Sequence, residues 1–266
     1  MTLESIFAGA RAAGRAAFIP YVVAGDPDIE TTTLILDALQ RAGADAVEIG
    51  IPYSDGLADG PTIAAAATRA LAAGTGIEDA LEAARSAYRL PAIIFSYYNP
   101  ILAHGIERFA RSAARAGVAG VIVPDLPLEE CGELHARLAR YGIQMPLLVA
   151  PSTLPERAAR IAARSSGFVY VVSRLGVTGA RRAPDVESAR RRLLELRGAG
   201  KPLALGFGMS RPEHAREMAP FADGLIVGSA LIDAYAGRRG SQAAQCVYDL
   251  AAELRSACSS AAALCT

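Results

Sequence analysis

Short apolar β-type runs alternate with helical segments along the chain, and this alternation is the strongest constraint on its fold. Eight such runs are present, at residues 17–23, 46–51, 92–97, 120–123, 146–150, 168–173, 202–206 and 224–227. Apolar residues fill each run without polar alternation, which is typical of parallel strands buried on both faces. Eight βα units predict a closed (β/α)8 barrel, the TIM barrel of the α/β class. A doubly wound open sheet is the alternative, but that fold usually has fewer strands and a dinucleotide-binding fingerprint.

Residues with helical spacing fill the segments between the runs. We expect helices at residues 2–13, 29–42, 62–73, 77–88, 106–116, 128–141, 155–164, 185–197, 211–218, 229–235 and 241–259. The first precedes strand one and is therefore an extra N-terminal helix. The helix at 229–235 is short and follows strand eight directly, where barrels often bind phosphate. We expect residues 1–266 to form a single domain.

Charge and composition exclude several classes of function. The chain has 27 basic and 27 acidic residues and a formal net charge of zero, which gives no sign of a nucleic-acid or anionic-membrane partner. Its 4 cysteines contain no CxxC pair and its 3 histidines no HxxxH pattern, so we expect no metal and no cofactor. A signal-peptide core and an apolar run of about 20 residues are both missing, so we expect a cytoplasmic protein without a membrane span. Lys201 is the only lysine, which excludes a Schiff-base mechanism at any other position.

The stretch VEIGIPYSDGLADGPT, at residues 47–62, holds the strongest candidates for catalysis. Glu48 lies within the second β-run, where a buried carboxylate needs either a partner or a chemical task, because burial without a partner is costly. Asp59 follows in the loop after this run, and in a barrel the loops after the strands carry the active site. The alternative is structural: Glu48 faces solvent at a strand end, and Asp59 caps the next helix.

Glycine-rich segments follow strands six, seven and eight. They contain Gly176 and Gly179, Gly206 and Gly208, and Gly228 with Ser229. Glycine lets backbone N–H groups approach an oxyanion closely, and a helix that starts at Ser229 directs its positive end to the same place. We therefore predict a phosphate site there, although each glycine alone could simply end its strand. A phosphate site beside two carboxylates indicates proton-transfer chemistry on a phosphorylated metabolite, by a lyase or an isomerase.

Several motifs occur in an order that resembles the alpha subunit of tryptophan synthase. They are FIPYVVAGDPD, ADAVEIGIPYSDGLADGPTI, SYYNPIL, VPDLPLEE, VVSRLGVTG, LGFGMSRPEH and VGSALI, and they span residues 18–232. The resemblance implies a (β/α)8 barrel that cleaves indole-3-glycerol phosphate to indole and glyceraldehyde 3-phosphate. It also implies a partner, because the family normally passes indole to a β subunit, which carries pyridoxal phosphate, in an α2β2 assembly.

The resemblance also implies roles for individual residues. Glu48 and Asp59 match the family's catalytic acids: Glu48 would transfer protons, and Asp59 would stabilise positive charge on the indole ring. The residues that would bind the substrate are Tyr21, Tyr97, Ile122, Tyr170, Thr178 and Phe207, and those that would bind its phosphate are Gly179, Gly208, Gly228 and Ser229. Thr178 matches the mobile-loop threonine that bonds the catalytic aspartate. For the tyrosines, an ordinary place in the core is the alternative.

Two positions depart from the family's usual SDPLADGPTIQ motif, because Gly56 replaces its proline and Ala64 its glutamine. Proline restricts φ, so Gly56 is expected to leave the loop around Asp59 more mobile, at a cost on the order of 1 kcal/mol. On this reasoning, Gly56→Pro should raise the activity of the isolated chain and make it less dependent on a β subunit. The alternatives are a free-standing lyase that releases indole and a non-catalytic barrel that serves as a binding or regulatory subunit.

Overall fold

All eight apolar runs form strands in the computed structural model, which describes residues 2–87, 89–173, 186–206, 208–209 and 211–259. The strands are β1 (Ala17–Val23), β2 (Val47–Gly50), β3 (Ala92–Phe95), β4 (Gly120–Ile122), β5 (Leu147–Val149), β6 (Val169–Val172), β7 (Leu203–Gly206) and β8 (Gly224–Val227). They form one sheet in the order β4-β3-β2-β1-β8-β7-β6-β5, and every resolved pairing between neighbours is parallel. Nearly all of their residues are buried, because helices cover the outer face and side chains fill the inner one.

The two edge strands meet and close the sheet into a barrel. An isolated parallel bridge joins Gly120 of β4 to Gln144, which lies just before β5. The N–H of Val121 donates to the carbonyl oxygen of Gln144 at 2.8 Å, and the N–H of Gln144 donates to the carbonyl oxygen of Ala119 at 3.0 Å. The predicted (β/α)8 barrel is therefore confirmed.

The helices around the barrel agree with the predicted segments, with two differences. They are α1 (Leu3–Ala12), α2 (Ile29–Arg41), α3 (Pro61–Ala72), α4 (Ile77–Ser86), α5 (Tyr98–His104), α6 (Ile106–Arg115), α7 (Gly132–Arg140), α8 (Pro155–Arg164), α9 (Val186–Leu196), α10 (Pro212–Met218), α11 (Ser229–Ala234) and α12 (Gly240–Ala257). Helix α5 is absent from the predicted set; its Pro100 stands in the first turn, where a missing N–H removes no helical hydrogen bond. Helix α7 begins later than residue 128, because Glu130 and Cys131 donate to the carbonyl oxygen of Pro127 in a separate turn. Among the helices so described, none is long and apolar enough to cross a membrane.

Helix α1 covers the N-terminal end of the barrel. Its residues Leu3 and Phe7 are 0% and 2% exposed. A Cβ added at Gly120 would lie 2.7 Å from Leu3 Cδ1, and one added at Gly224 would lie 2.6 Å from Phe7 Cε1, so glycine at both positions makes room for the helix. Because α1 closes this end, an opening for a substrate belongs at the other end, where loops follow the strands.

Loss of the Phe7 side chain tests whether α1 belongs to the core. The Phe7 ring lies 5.3 Å from that of Phe168, between their centroids. We expect Phe7→Ala to lower the free energy of unfolding by about 3–5 kcal/mol, because it leaves a cavity. Urea denaturation measures this, with Leu102→Ala as a control at a leucine that is 48% exposed. A loss no larger than that of the control would show that α1 is dispensable for stability.

Candidate active site

The register of the barrel brings three of the predicted site residues together. Tyr21 of β1 pairs with Glu48 of β2, and paired residues of parallel strands point to the same face of a sheet. Tyr170 identifies that face as the barrel interior. It lies on β6, across the barrel from β2, yet Glu48 helps to raise the pKa of Tyr170, after burial itself. Tyr21, Glu48 and Tyr170 are 7%, 1% and 3% exposed, so all three side chains lie inside the barrel.

Glu48 is a buried carboxyl group without a stabilising partner on one oxygen. Its Oε1 atom accepts no hydrogen bond within the described part of the chain. Burial raises the pKa of Glu48 from 4.5 to about 8, because the charged form is poorly solvated inside the barrel. The group is therefore mostly protonated at neutral pH but close to its titration point. A group in that state can both give and accept a proton within one reaction.

Two glycines make room for the tyrosines inside the barrel. A Cβ added at Gly50 would lie 2.2 Å from the hydroxyl oxygen of Tyr21, and one added at Gly206 would lie 2.3 Å from that of Tyr170. Any side chain at these positions would displace the phenols. Gly50 is absent from the predicted site, and Gly206 is predicted only as part of a phosphate-binding segment or as a strand end. A glycine within an apolar strand often marks such a close approach, and this was the available signal.

Asp59 lies in the loop after β2, at the C-terminal end of the barrel. Its N–H donates to the carbonyl oxygen of Gly56 at 3.0 Å, which closes the turn 56–59. The Tyr97 hydroxyl donates to Asp59 Oδ1 at 2.9 Å and accepts from the N–H of Ala58 at 3.0 Å. Burial raises the pKa of the Asp59 carboxyl, and the hydrogen bond from Tyr97 opposes that rise.

Tyr21 connects the two acids electrostatically. Its pKa is raised well above the ordinary value, first by burial and then by the charges of Asp59 and Glu48. Charges act this strongly only over short distances or through a medium of low polarity. The two carboxyl groups therefore belong to one site, with Glu48 inside the barrel and Asp59 at its C-terminal end.

Aromatic rings line this end of the barrel. The Tyr97 ring lies 5.4 Å from that of Tyr53 and 6.4 Å from that of Phe95, and Phe95 meets Tyr21 edge-on at 5.7 Å. Ile122 pairs with Phe95 in register and is fully buried. Tyr53 and Phe95 are absent from the predicted site. Phe95 precedes Tyr97 by two positions, so strand alternation was the signal that could have found it.

The predicted phosphate segment is described in part. Gly208 follows β7 with a φ of 85°, a left-handed conformation that suits glycine. Gly228 precedes α11 and Ser229 is its first residue, directly after β8. A Cβ added at Gly228 would lie 3.0 Å from Tyr21 Cδ1, so this segment borders the Tyr21 side of the site. Three further predicted residues lie outside the described residues: Thr178, Gly179 and Phe207.

The N-terminal end of the barrel, which α1 closes, carries a cavity on its outer surface. A cavity of about 1020 Å³ there is lined by residues that include Arg11, Arg15 and Asp223. Arg11 pairs with Asp223, and Arg15 pairs with Asp45 at 2.7 Å. The N-terminal face of a barrel usually serves stability and not catalysis. The perturbed acids lie at the other end, and that is where we place the candidate chemistry.

Known proteins resemble this chain along nearly its whole length. A family model described as tryptophan synthase alpha chain matches residues 7–261. The chain belongs to the tryptophan synthase alpha chain family. Two relatives named tryptophan synthase alpha chain, from Cyanothece sp. and Synechococcus elongatus, are 45% and 47% identical to it, over 97% and 96% of this chain and 98% and 96% of theirs. A solved structure of tryptophan synthase from Mycobacterium tuberculosis superposes with a TM-score of 0.89 at 36% identity, covering 96% of this chain and 97% of that one.

Membership of the tryptophan synthase alpha chain family confirms the activity that the motifs predict. The chain is a carbon–carbon lyase of tryptophan biosynthesis, and its reaction is the cleavage of indole-3-glycerol phosphate. That cleavage needs a proton added at one carbon and a proton removed from one hydroxyl. A buried acid close to its titration point beside a second carboxylate is suited to this chemistry.

The pH dependence of stability tests the state of Glu48. The folded state keeps the Glu48 proton up to about pH 8, whereas an unfolded glutamate loses it near 4.5. The native chain therefore loses stability as pH rises between these values, and Glu48→Gln does not. We expect Glu48→Gln to be more stable than the native chain at pH 7, by on the order of 3 kcal/mol.

Urea unfolding between pH 5 and pH 9 measures this difference, with Glu253→Gln as the control on α12. The gain in the free energy of unfolding should shrink toward pH 5 and become constant above about pH 8. A gain that does not change with pH would contradict the raised pKa.

Gly56 lies against the carboxylate of Asp59. A Cβ added at position 56 would lie 2.1 Å from Asp59 Oδ2, which is too close for atoms that are not bonded. Proline at this position therefore requires Asp59 to move, in addition to restricting φ. The expectation that Gly56→Pro only pre-orders the loop needs correction, because it did not include this collision.

Gly56→Ala adds the Cβ without the proline ring and so isolates the collision. We expect it to displace the Asp59 carboxylate and break the hydrogen bond from Tyr97. In the native background, Tyr97→Phe should lower kcat/KM by about tenfold, as expected for a hydrogen bond to a charged group. In the Gly56→Ala background it should have little further effect, which a double-mutant cycle measures. Equal losses in both backgrounds would show that Gly56 has no part in placing Asp59.

Proposed function

We propose that Glu48 and Asp59 together carry out the retro-aldol cleavage of indole-3-glycerol phosphate. Indole C3 gains a proton, the bond from C3 to C3′ of the glycerol chain breaks, and the hydroxyl on C3′ loses its proton. The electrons of the broken bond return to the indole ring, which leaves indole and glyceraldehyde 3-phosphate. One observation carries the proposal: the buried Glu48 carboxyl has a pKa of about 8 and an Oε1 atom without a partner among the described residues.

Glu48 supplies and recovers the proton in this scheme. Its protonated form donates to indole C3, and the resulting carboxylate accepts the proton of the C3′ hydroxyl. The residue ends the reaction in its starting state, so the scheme needs no second proton carrier. A pKa near neutrality suits both steps, because neither form is then strongly disfavoured at the working pH.

Asp59 stabilises the intermediate in this scheme. Protonation at C3 leaves positive charge on the indole nitrogen, and an ionised Asp59 accepts a hydrogen bond from that N–H. Tyr97 orients the acid, because its hydroxyl holds both the Asp59 carboxylate and the neighbouring Ala58 N–H. Thr178 would bond the same carboxylate when a loop covers the substrate and excludes water.

Other residues bind the two ends of the substrate in this proposal. The indole ring lies against Tyr21, Ile122 and Phe207, with Tyr97 and Tyr170 lining the same pocket. The phosphate accepts hydrogen bonds from backbone N–H groups near Gly179, Gly208, Gly228 and Ser229. The contact that a Cβ at Gly228 would make with the Tyr21 ring supports this arrangement, because it brings the phosphate segment next to the indole pocket.

A β subunit is the proposed partner, in an α2β2 assembly in the cytoplasm. Leu57 supports a partner because it is 73% exposed within the same turn that holds Asp59. A partner that packs against this exposed leucine would also order the catalytic acid in the same turn. A free-standing lyase that orders the turn by its own contacts is the competing function, and Tyr97 provides one such contact.

Substitution of the two acids tests the proposed chemistry. We expect Glu48→Gln and Asp59→Asn each to lower kcat for indole release by at least about a hundredfold, because an amide can neither carry the proton nor supply the charge. Glu82→Gln and Asp37→Asn, which lie on exposed faces of α4 and α2, are matched controls. Steady-state indole formation from indole-3-glycerol phosphate measures all four variants. Near-native turnover by Glu48→Gln would rule out the proposed role.

Addition of a β subunit tests the partner. We expect low indole release from the isolated chain and strong stimulation on mixing with a β subunit of the family. Leu57→Ser should reduce the stimulation but not the basal rate, and Leu34→Ser, an exposed position on α2, should change neither. High turnover that the β subunit leaves unchanged would favour the free-standing lyase instead.

A further inference from the structure

Asp26 is a fully buried carboxylate outside the proposed catalytic pair. It follows β1 and is 1% exposed. Arg69 donates to it twice, from Nε to Oδ1 at 2.7 Å and from Nη2 to Oδ2 at 2.9 Å, and the Tyr235 hydroxyl donates to Oδ2 at 2.7 Å. Its side chain is 0% exposed while that of Arg69 is 45% exposed. A buried charge held by three hydrogen bonds has one favoured geometry, so it fixes its partners relative to one another.

The partners of Asp26 come from the two segments that flank the proposed site. Arg69 lies on α3, which begins directly after the Asp59 turn. Tyr235 follows α11, which begins at Ser229 of the proposed phosphate segment. A second link joins the same two helices near the site, because the Thr62 hydroxyl donates to Asp233 Oδ1 at 3.1 Å. Two positions of α3 are therefore tied to the C-terminal end of α11, Thr62 directly through Asp233 and Arg69 through Asp26 and Tyr235.

We propose that Asp26, Arg69, Tyr235, Thr62 and Asp233 form a clamp that couples phosphate binding to the position of Asp59. The inference rests on the proposed function, and it adds positioning residues that touch no part of the substrate. When the phosphate settles against α11, the clamp holds α3 and the Asp59 turn in the geometry needed at the indole ring. Binding energy from the unreactive phosphate then accelerates bond cleavage instead of adding only affinity.

Kinetics with the substrate divided into two separate molecules measure this coupling directly. Indole-3-glycerol lacks the phosphate, and phosphite dianion supplies an equivalent anion as a second molecule. We expect the native chain to cleave indole-3-glycerol slowly and to be accelerated by phosphite. Tyr235→Phe and Thr62→Val each remove one hydroxyl from the clamp with little change in shape. Both should cleave indole-3-glycerol at the native rate but lose most of the acceleration by phosphite, with at least a tenfold lower kcat/KM for the intact substrate.

Matched controls and a rescue exclude a general loss of structure. Tyr141→Phe removes a tyrosine hydroxyl that donates to Glu107 at 2.6 Å on the outside of the barrel, and Thr68→Val removes a hydroxyl on α3 that donates to Ala64 at 2.9 Å. Both should keep the native acceleration. Thr62→Ser retains the hydroxyl that Thr62→Val removes, so it should show the native acceleration by phosphite. Thermal unfolding of each variant shows whether the fold is retained.

The outcomes separate this inference from the function on which it rests. Equal losses with indole-3-glycerol and with the intact substrate would show a purely structural role and overturn the clamp. Native acceleration by phosphite in both clamp variants would also overturn it, while leaving the proposed function intact. Failure of the native chain to cleave the intact substrate would overturn the proposed function and the clamp with it.

Discussion

The cost of burying a carboxyl group inside a barrel governs the organisation of this site. Glu48 lies where water does not reach it, and its Oε1 atom has no hydrogen-bond partner among the described residues. An ionised group there is unstable, so the proton is held to about pH 8. The surrounding residues preserve this condition: Gly50 and Gly206 leave space for the tyrosine rings that fill the interior. Burial of the Glu48 carboxyl group lowers the stability of the folded state. Such a local cost is expected at a functional site.

The N-terminal end of the barrel is packed for stability, and the C-terminal end holds the proposed active site. At the N-terminal end, α1 inserts Leu3 and Phe7 against glycines of the strands. At the C-terminal end, the Tyr97 hydroxyl bonds both Ala58 and Asp59 of the Asp59 turn, and Leu57 of that turn is 73% exposed. An exposed turn opens more easily than the core beneath it. It can therefore respond to a substrate or a partner, while Glu48 stays fixed in the strand.

The sequence predicts the strands well because their apolar runs and glycine ends are local signals, and β1 and β8 agree residue for residue with the predicted ranges. Helix α5 was missed because proline is a breaker in most contexts but not in a first turn. Glu48 and Asp59 were predicted from a carboxylate in an apolar run and from family motifs. The bond from Tyr97 to Asp59, the collision at Gly56 and the Asp26 cluster were not predictable. Each of these contacts joins residues that are distant in sequence or depends on the conformation of a loop. Contacts of both kinds leave no local pattern in the sequence.

Direct titration of the Glu48 carboxyl is the measurement that bears most closely on this account. Infrared difference spectra between the native chain and Glu48→Gln isolate the carbonyl band of this one protonated acid as pH is varied. The band should be present at pH 7 and disappear with a midpoint at about pH 8. A midpoint near 4.5, the ordinary value for glutamate, would show that the barrel does not hold the proton. Glu48 could not then be the acid that protonates the indole ring.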